Sequence, residues 1–260
     1  MNKSSSTNRI SSIALSFMAH PDDAEFLCAG TLARLARAGW TVHIATATAG
    51  DCGTMDLSAR EISTIRIREA KNASALIGAH YHCLDERDGL VVYDKPTLRK
   101  TIDLFRRISP ALVFTHAPKD YMMDHEMVSL LARAASFVYS APNISTVPRA
   151  SHSMIPHLYF CDPIGCMDPL GQPVEPTTLV DITSQMDTKI RMLACHDSQG
   201  QWLRTHHGMD EYLESMKRHA AGRGQQNGTD AAEGYIQHRG HAYPHDDLLD
   251  ELFGKRNKND

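Results

Sequence analysis

The amino-acid sequence predicts an α/β fold: a doubly wound, mainly parallel, Rossmann-like sheet with helices on both faces and a C-terminal extension. Three observations predict it. Short apolar or β-branched runs alternate with segments of helical period through the first half of the chain. The first strand, helix and strand close within about forty residues, as a right-handed parallel crossover does. A chain of 260 residues with 42% hydrophobic content can also bury one sizeable core.

Residues Ile13 to Met18 form the first apolar run, which stops at His20-Pro21. Ala24 to Ala38 then places Phe26, Leu27, Leu32 and Leu35 at helical spacing and is closed by Gly39. Thr41 to Thr48, rich in β-branched residues, reads as the second strand. A helix over Ser58 to Ile77 ends at Gly78, and a short strand follows around Tyr81 to Leu84. Thr97 to Ile108 is helical, Ser109-Pro110 stops it, and Ala111 to Thr115 is a buried strand. Beyond His125 a helix of about fifteen residues carries Met127, Leu130, Leu131 and Ala134. From Ser140 to Pro176 frequent prolines and short apolar pieces suggest loops around added strands. Helical signals return at Thr183 to Ala194 and Met209 to Ala220, Gly222 to Gly228 reads as a flexible loop, and the last residues read as a frayed tail.

Composition excludes several classes. With 27 basic residues against 31 acidic and a formal net charge of -4, the chain has no basic field to attract nucleic acid. The opening residues contain no run long enough to span a bilayer and no separate cleavable apolar region, so no membrane insertion and a cytoplasmic location are expected. Six scattered cysteines without a Cys-x-x-Cys pair read as reduced thiols. No G-x-S-x-G elbow is present, and no G-x-G-x-x-G follows the first strand. Fifteen histidines are more than an ordinary surface needs, which directs attention to a metal site.

The first strand ends in Ala19-His20-Pro21-Asp22-Asp23-Ala24-Glu25. Asp22 and Asp23 suit the capping of a helix, but an imidazole and a carboxylate three residues apart can also meet one cation, with Asp22 turned elsewhere. The fourth strand is followed by Thr115-His116-Ala117-Pro118-Lys119-Asp120-Tyr121-Met122-Met123-Asp124-His125-Glu126. If the strand order is 3-2-1-4-5, these two clusters flank the switch-point crevice where such sheets bind ligands.

The segments AHPDDAE and TATAGDCGT, the Arg66-x-x-Glu69-Ala70 helix ending Leu76-Ile77-Gly78, the stretch Asp85 to Leu90, THAPKDYMMDHE and His196-Asp197-Ser198-Gln199 resemble, in this order, the PIG-L/LmbE family of zinc-dependent N-deacetylases. The resemblance covers roughly residues 12 to 200. It implies one Zn2+ per chain, or another divalent transition metal, held by His20, Asp23 and His125, with Asp22 as general base toward a metal-activated water. It departs at Met122, where many members carry a histidine that stabilises the oxyanion. A thioether cannot donate that hydrogen bond. His116 is the expected replacement donor, with a histidine from His238 to His245 as the alternative. Arg66, Asp51 and Asp88 are candidate substrate-binding residues, and Asp88-Gly89 reads as a turn. His206-His207 and the Cys161/Cys166 pair are given no role.

The expected organisation is a single domain over 1–260, with 10–140 as the core carrying the metal site and 141–260 as an extension that closes it. The expected activity is removal of an N-acetyl or other N-acyl group from an amino sugar or glycoconjugate. Amide hydrolysis outside carbohydrate chemistry and non-catalytic sugar binding are the alternatives. Homo-oligomers are common among related folds.

Overall fold

The computed structural model describes residues 12–148, 154–200 and 212–254. Five parallel strands come first: β1 (Ile13–Met18), β2 (Thr41–Thr48), β3 (His80–Glu86), β4 (Leu112–Thr115) and β5 (His157–Cys161). Two more, β6 (Thr178–Asp181) and β7 (Ala232–Gln237), lie beyond β5 as antiparallel additions. The order across the sheet is β3-β2-β1-β4-β5-β7-β6, so the expected 3-2-1-4-5 core is the one observed. β1 pairs on one side with β2 and on the other with β4. The switch point therefore falls between β1 and β4.

Eight helices accompany the sheet among the described residues: α1 (Asp23–Leu27), α2 (Ala29–Arg37), α3 (Ala59–Ala75), α4 (Lys95–Ile108), α5 (Met123–Val138), α6 (Met186–Ala194), α7 (Tyr212–Asn227) and α8 (Leu248–Phe253). They make two apolar layers. Ala14, Met18, Ile44 and Phe114 face the layer that includes Leu32, Leu35, Met192 and Met216. Leu15, Phe17, Ala45 and Val113 face Phe105, Ile102, Val128 and Leu131 of α4 and α5. Alternate residues of β1 thus enter opposite cores, which is why that strand reads as a continuous apolar run.

Two expectations need correction. The helix expected over Ala24 to Ala38 breaks at Cys28, whose φ of -139° is outside the helical range. The break exposes the backbone N–H groups of Gly30 and Thr31, and the buried Glu233 carboxylate accepts both at 2.9 and 2.7 Å. Lys189 Nζ neutralises that carboxylate at 2.6 Å. A burial of charge this complete, with every partner supplied, ties β7 and α6 to the core. The loop expected over Gly222 to Gly228 is instead the C-terminal part of α7, held by the ion pair of Arg223 Nε with Asp162 Oδ2 at 2.8 Å. Gly224 permits it, because a Cβ there would stand 2.7 Å from the backbone of Asp230 and Ala231. The residues before 12, the His206-His207 pair, the start expected for α7 at Met209 and the tail beyond Gly254 lie outside the described residues.

Candidate metal centre and catalytic cavity

A cavity of about 520 Å³ opens at the carboxyl ends of β1 and β4. His20, Asp22, Asp23, Arg66, Asp88, Met122 and His125 are on its wall. His20, Asp23 and His125 bring one ligand atom each to within 4.8 Å of one another, and all three are buried. His20 comes from the turn after β1, Asp23 from the first residue of α1 and His125 from the first turn of α5.

Each imidazole is oriented through its other nitrogen. His125 Nδ1 meets Asp120 Oδ1 at 2.9 Å, which leaves Nε2, buried and without a hydrogen-bond partner, 3.6 Å from Asp23 Oδ1. His20 Nε2 meets Asp88 Oδ1 at 3.0 Å and Asp124 Oδ2 at 3.3 Å, so Nδ1 is the atom that faces Asp23, at 3.4 Å. Asp124 is itself fixed, accepting from the backbone N–H groups of Gly89 and Val91 at 2.7 and 3.1 Å. Carboxylates behind the imidazoles fix their orientation and make them more basic ligands for a cation. The orphaned His125 Nε2, and the convergence of buried carboxylates on two histidines, fit a divalent metal at His20, Asp23 and His125.

The electrostatics follow from the same contacts. Burial works to lower the His20 pKa, but the hydrogen bonds with Asp124, Asp23 and Asp88 prevail and hold it well above its ordinary value. Burial works to raise Asp23, and the neighbouring His125 and His116 overcome it and hold that carboxyl well below the usual range. Asp22 goes the other way. Burial raises it, with Arg66 opposing and Asp23 adding to the rise. Two adjacent carboxylates are thus driven apart in proton affinity, a division that suits one to bind a cation and the other to carry a proton.

Asp22 has a backbone φ of 105°, a left-handed conformation for a non-glycine residue, and its carboxylate finds partners other than those of Asp23. Its Oδ2 accepts from the Tyr212 hydroxyl at 2.6 Å, and its Oδ1 is 3.5 Å from Arg66 Nη2. Arg66 also donates to the carbonyls of Pro21 at 2.7 Å and Gly50 at 3.2 Å. Gly50 makes this possible, since a Cβ there would lie 2.2 Å from Nη1. The rest of the quoted sequence pattern docks around this frame: Ser198 donates to Glu69, Gln199 Nε2 to the Gly53 carbonyl at 3.2 Å, and His196 Nε2 stands 3.5 Å from Glu25 Oε2.

Three expectations are redrawn. His116 is fully buried and absent from the cavity wall. Its ring stacks on His125 with centroids 3.8 Å apart, and Nε2 accepts from Ala19 N at 3.0 Å, so it cannot reach a substrate oxyanion. The alternative donors do not reach it either, because His238 packs on Tyr243 and none of His238, His241 and His245 lines the cavity. Asp51 also lies off the wall, accepting from Asp88 N at 2.8 Å and pairing with Arg87 at 2.9 Å. It shapes the Asp88 loop. Asp88 and Arg66 do line the cavity. Asp120, Asp124 and Tyr212 were not singled out from sequence. The first two stood within the motif beside His125, whereas Tyr212 had no local signal.

Residues 15–136 match the family model described as PIG-L, GlcNAc-PI de-N-acetylase. The chain is 28% identical over 194 residues to the 4-oxalmesaconate hydratase of Pseudomonas putida, covering 72% of this chain and 73% of that protein. It is 26% identical over 193 residues to the diacetylchitobiose deacetylase of Thermococcus kodakarensis, covering 69% and 67%. Among solved structures, a 4-carboxy-2-hydroxymuconate hydratase from P. putida superposes with a TM-score of 0.75 at 25% identity, over 90% of this chain and 98% of that one. An N,N'-diacetylchitobiose deacetylase from Pyrococcus horikoshii gives 0.74 at 23% identity, over 91% and 88%, a likeness of fold.

Proposed function

We propose, from the premise that residues 15–136 are a PIG-L/LmbE-family domain, that this enzyme hydrolyses an N-acetyl amide on an amino sugar or related glycoconjugate. His20, Asp23 and His125 would hold one zinc or similar divalent ion. The observation that carries the reading is Asp22: a half-buried carboxyl of raised pKa that shares the cavity with the three candidate ligands without being one of them. When bound, such an ion supplies a polarised carbonyl and a more acidic water.

The protein's own groups do the rest. Asp22 takes the proton of the attacking water and returns it to the departing amine nitrogen, so that amide and water become carboxylic acid and amine. Tyr212 and Arg66 fix the carboxylate in the required direction. Met122 occupies the wall where a histidine would donate to the oxyanion, and Tyr121, Tyr212 and Ser215 are hydroxyl-bearing residues on that wall.

A second reading rests on the hydratase relative, the more similar of the two named, together with Met122: addition of water to a carboxylated dienoic acid at the same centre. One experiment decides. Metal-loaded protein is assayed for acetate release on N-acetylated sugars and on non-sugar N-acetyl amides, and in parallel for loss of dienoate absorbance. Chelator-sensitive acetate release from the sugars is expected. Water addition without acetate release would transfer the assignment to a hydratase, and release from non-sugar amides alone would move the substrate class.

A further inference from the structure

A second group of ligating side chains lies outside that centre, where the turn after β5 meets α7. We propose that Asp162, Cys166 and His219 form a second metal site, one that takes a thiophilic cation such as zinc. Their ligand atoms lie within 4.8 Å of one another. Cys166 Sγ is 3.7 Å from His219 Nδ1. A sulfur and a nitrogen on one tetrahedral zinc, with ordinary bond lengths, stand about 3.5 Å apart. The pair is therefore near a shared-ligand separation before any ion enters.

The chemistry of the group agrees with its geometry. Burial, with help from Lys189 and Arg223, pushes the His219 pKa down to about 4, so its imidazole is a neutral donor at physiological pH. Burial, with Asp162 adding, pushes the Cys166 thiol up to about 11, which argues against a free thiolate nucleophile in a Cys-His pair. Binding would exchange that thiol proton for the cation. Arg223 holds both oxygens of Asp162, at 2.8 and 3.0 Å, and the exposed Glu175 acts on the same carboxyl. With Lys189 paired to Glu233, two carboxylates and a thiolate against the one guanidinium leave a charge that a dication balances. Cys166 and His219 are only half-buried, so solvent has a route in.

The site's position gives it a role. Cys166 ends the short helical turn Ile164–Cys166, and His219 is on α7. Ile164 of that turn and Tyr212 and Ser215 of α7 line the first cavity, and Phe26 packs edge-on to the His219 ring at 5.8 Å while facing the cavity itself. An ion at the second site would clamp the two pieces that form this wall.

Chelator-treated, reduced full-length protein titrated with cobalt(II) tests the assignment. The His20, Asp23 and His125 centre has no sulfur ligand, so a thiolate-to-cobalt charge-transfer band reports a cysteine-bearing group, of which Asp51, Cys52 and Asp88 form the other among the described residues. About two cobalt ions per chain are expected, with that band, and the Cys166→Ser variant should lose the band and about one ion. Cys52→Ser should keep the band. Should Cys166→Ser fail to fold, His219→Gln takes its place and should weaken the band's cobalt affinity at least tenfold. A wild-type chain that shows no thiolate band, or a band undiminished in Cys166→Ser or in His219→Gln, overturns the proposal. None of these readouts depends on deacetylation.

Discussion

Asp22 is held in a left-handed backbone conformation at φ 105°, which for a non-glycine residue costs on the order of 1–3 kcal/mol. The Tyr212 and Arg66 contacts are what the structure sets against that cost. If Asp22 is the general base, Asp22→Asn retains the metal and lowers turnover by about a hundredfold to ten-thousandfold. Steady-state rates beside elemental analysis check this, and near-normal turnover would move the base elsewhere. Asp120 is the second residue to test. Its carboxylate fixes His125 through Nδ1, so Asp120→Asn should weaken metal binding by about 10–100-fold in a competition titration with a chelator. That the ends of β1 and β4 meet was legible in topology, whereas the choice of His20, Asp23 and His125 as the candidate ligands came from the family resemblance. Tyr212 was not legible, since it reaches Asp22 across 190 positions from a helix with no signature of its own. His116 was misread because its place at the end of β4 gives its neighbourhood and not its direction: it turns back under Ala19.

At the scale of elements, strand and helix existence followed from period, and the errors fell where a distant partner overrides it. The break at Cys28 exists for Glu233, and the persistence of α7 through Gly222 and Gly224 depends on Asp162 and the 230–231 backbone. No local window contains either partner. The edge pair β2 and β3 carries a different consequence. His43 Nδ1 lies 2.9 Å from His82 Nε2, and the His80 ring lies tilted beside it with centroids 5.0 Å apart. Burial first, then His82 and His80, push His43 down to about 4. The unfolded chain takes up that proton near the ordinary histidine pKa of about 6.5 and the folded one only near 4. Its stabilising contribution is therefore complete above about pH 6.5 and lost between there and about 4. Urea midpoints across that interval should fall less steeply for His43→Leu than for wild type. Equal slopes would place the acid sensitivity elsewhere.

For the whole molecule, the parallel core and its switch point were readable, while the two antiparallel strands beyond β5 were legible only as irregular texture, because prolines and short runs conceal pairing partners far along the chain. Among the described residues no helix is long and apolar enough to cross a membrane. If His20, Asp23 and His125 bind one ion, that ion is a ligand of the native state alone, since in the unfolded chain His125 stands about a hundred positions from the other two. The melting temperature should then climb with free zinc, by the equivalent of about 2.7 kcal/mol at a hundredfold excess over Kd. A melting temperature indifferent to zinc would remove the metal from this site.

β1 and β4 are neighbours in the sheet, yet two strands and their crossovers intervene between them in the chain. Such pairing closes late, because a long stretch must first be brought into order. A chain still being synthesised holds His20 and Asp23 well before His125 exists, and a folding chain that has paired β1 with β2 still has no complete cage. If the three donors bind an ion, its capture is for that reason a timestamp. It marks the moment when the last central strand has slotted into place, and a molecule with its strands in the wrong sequence would carry the same residues and never register the event.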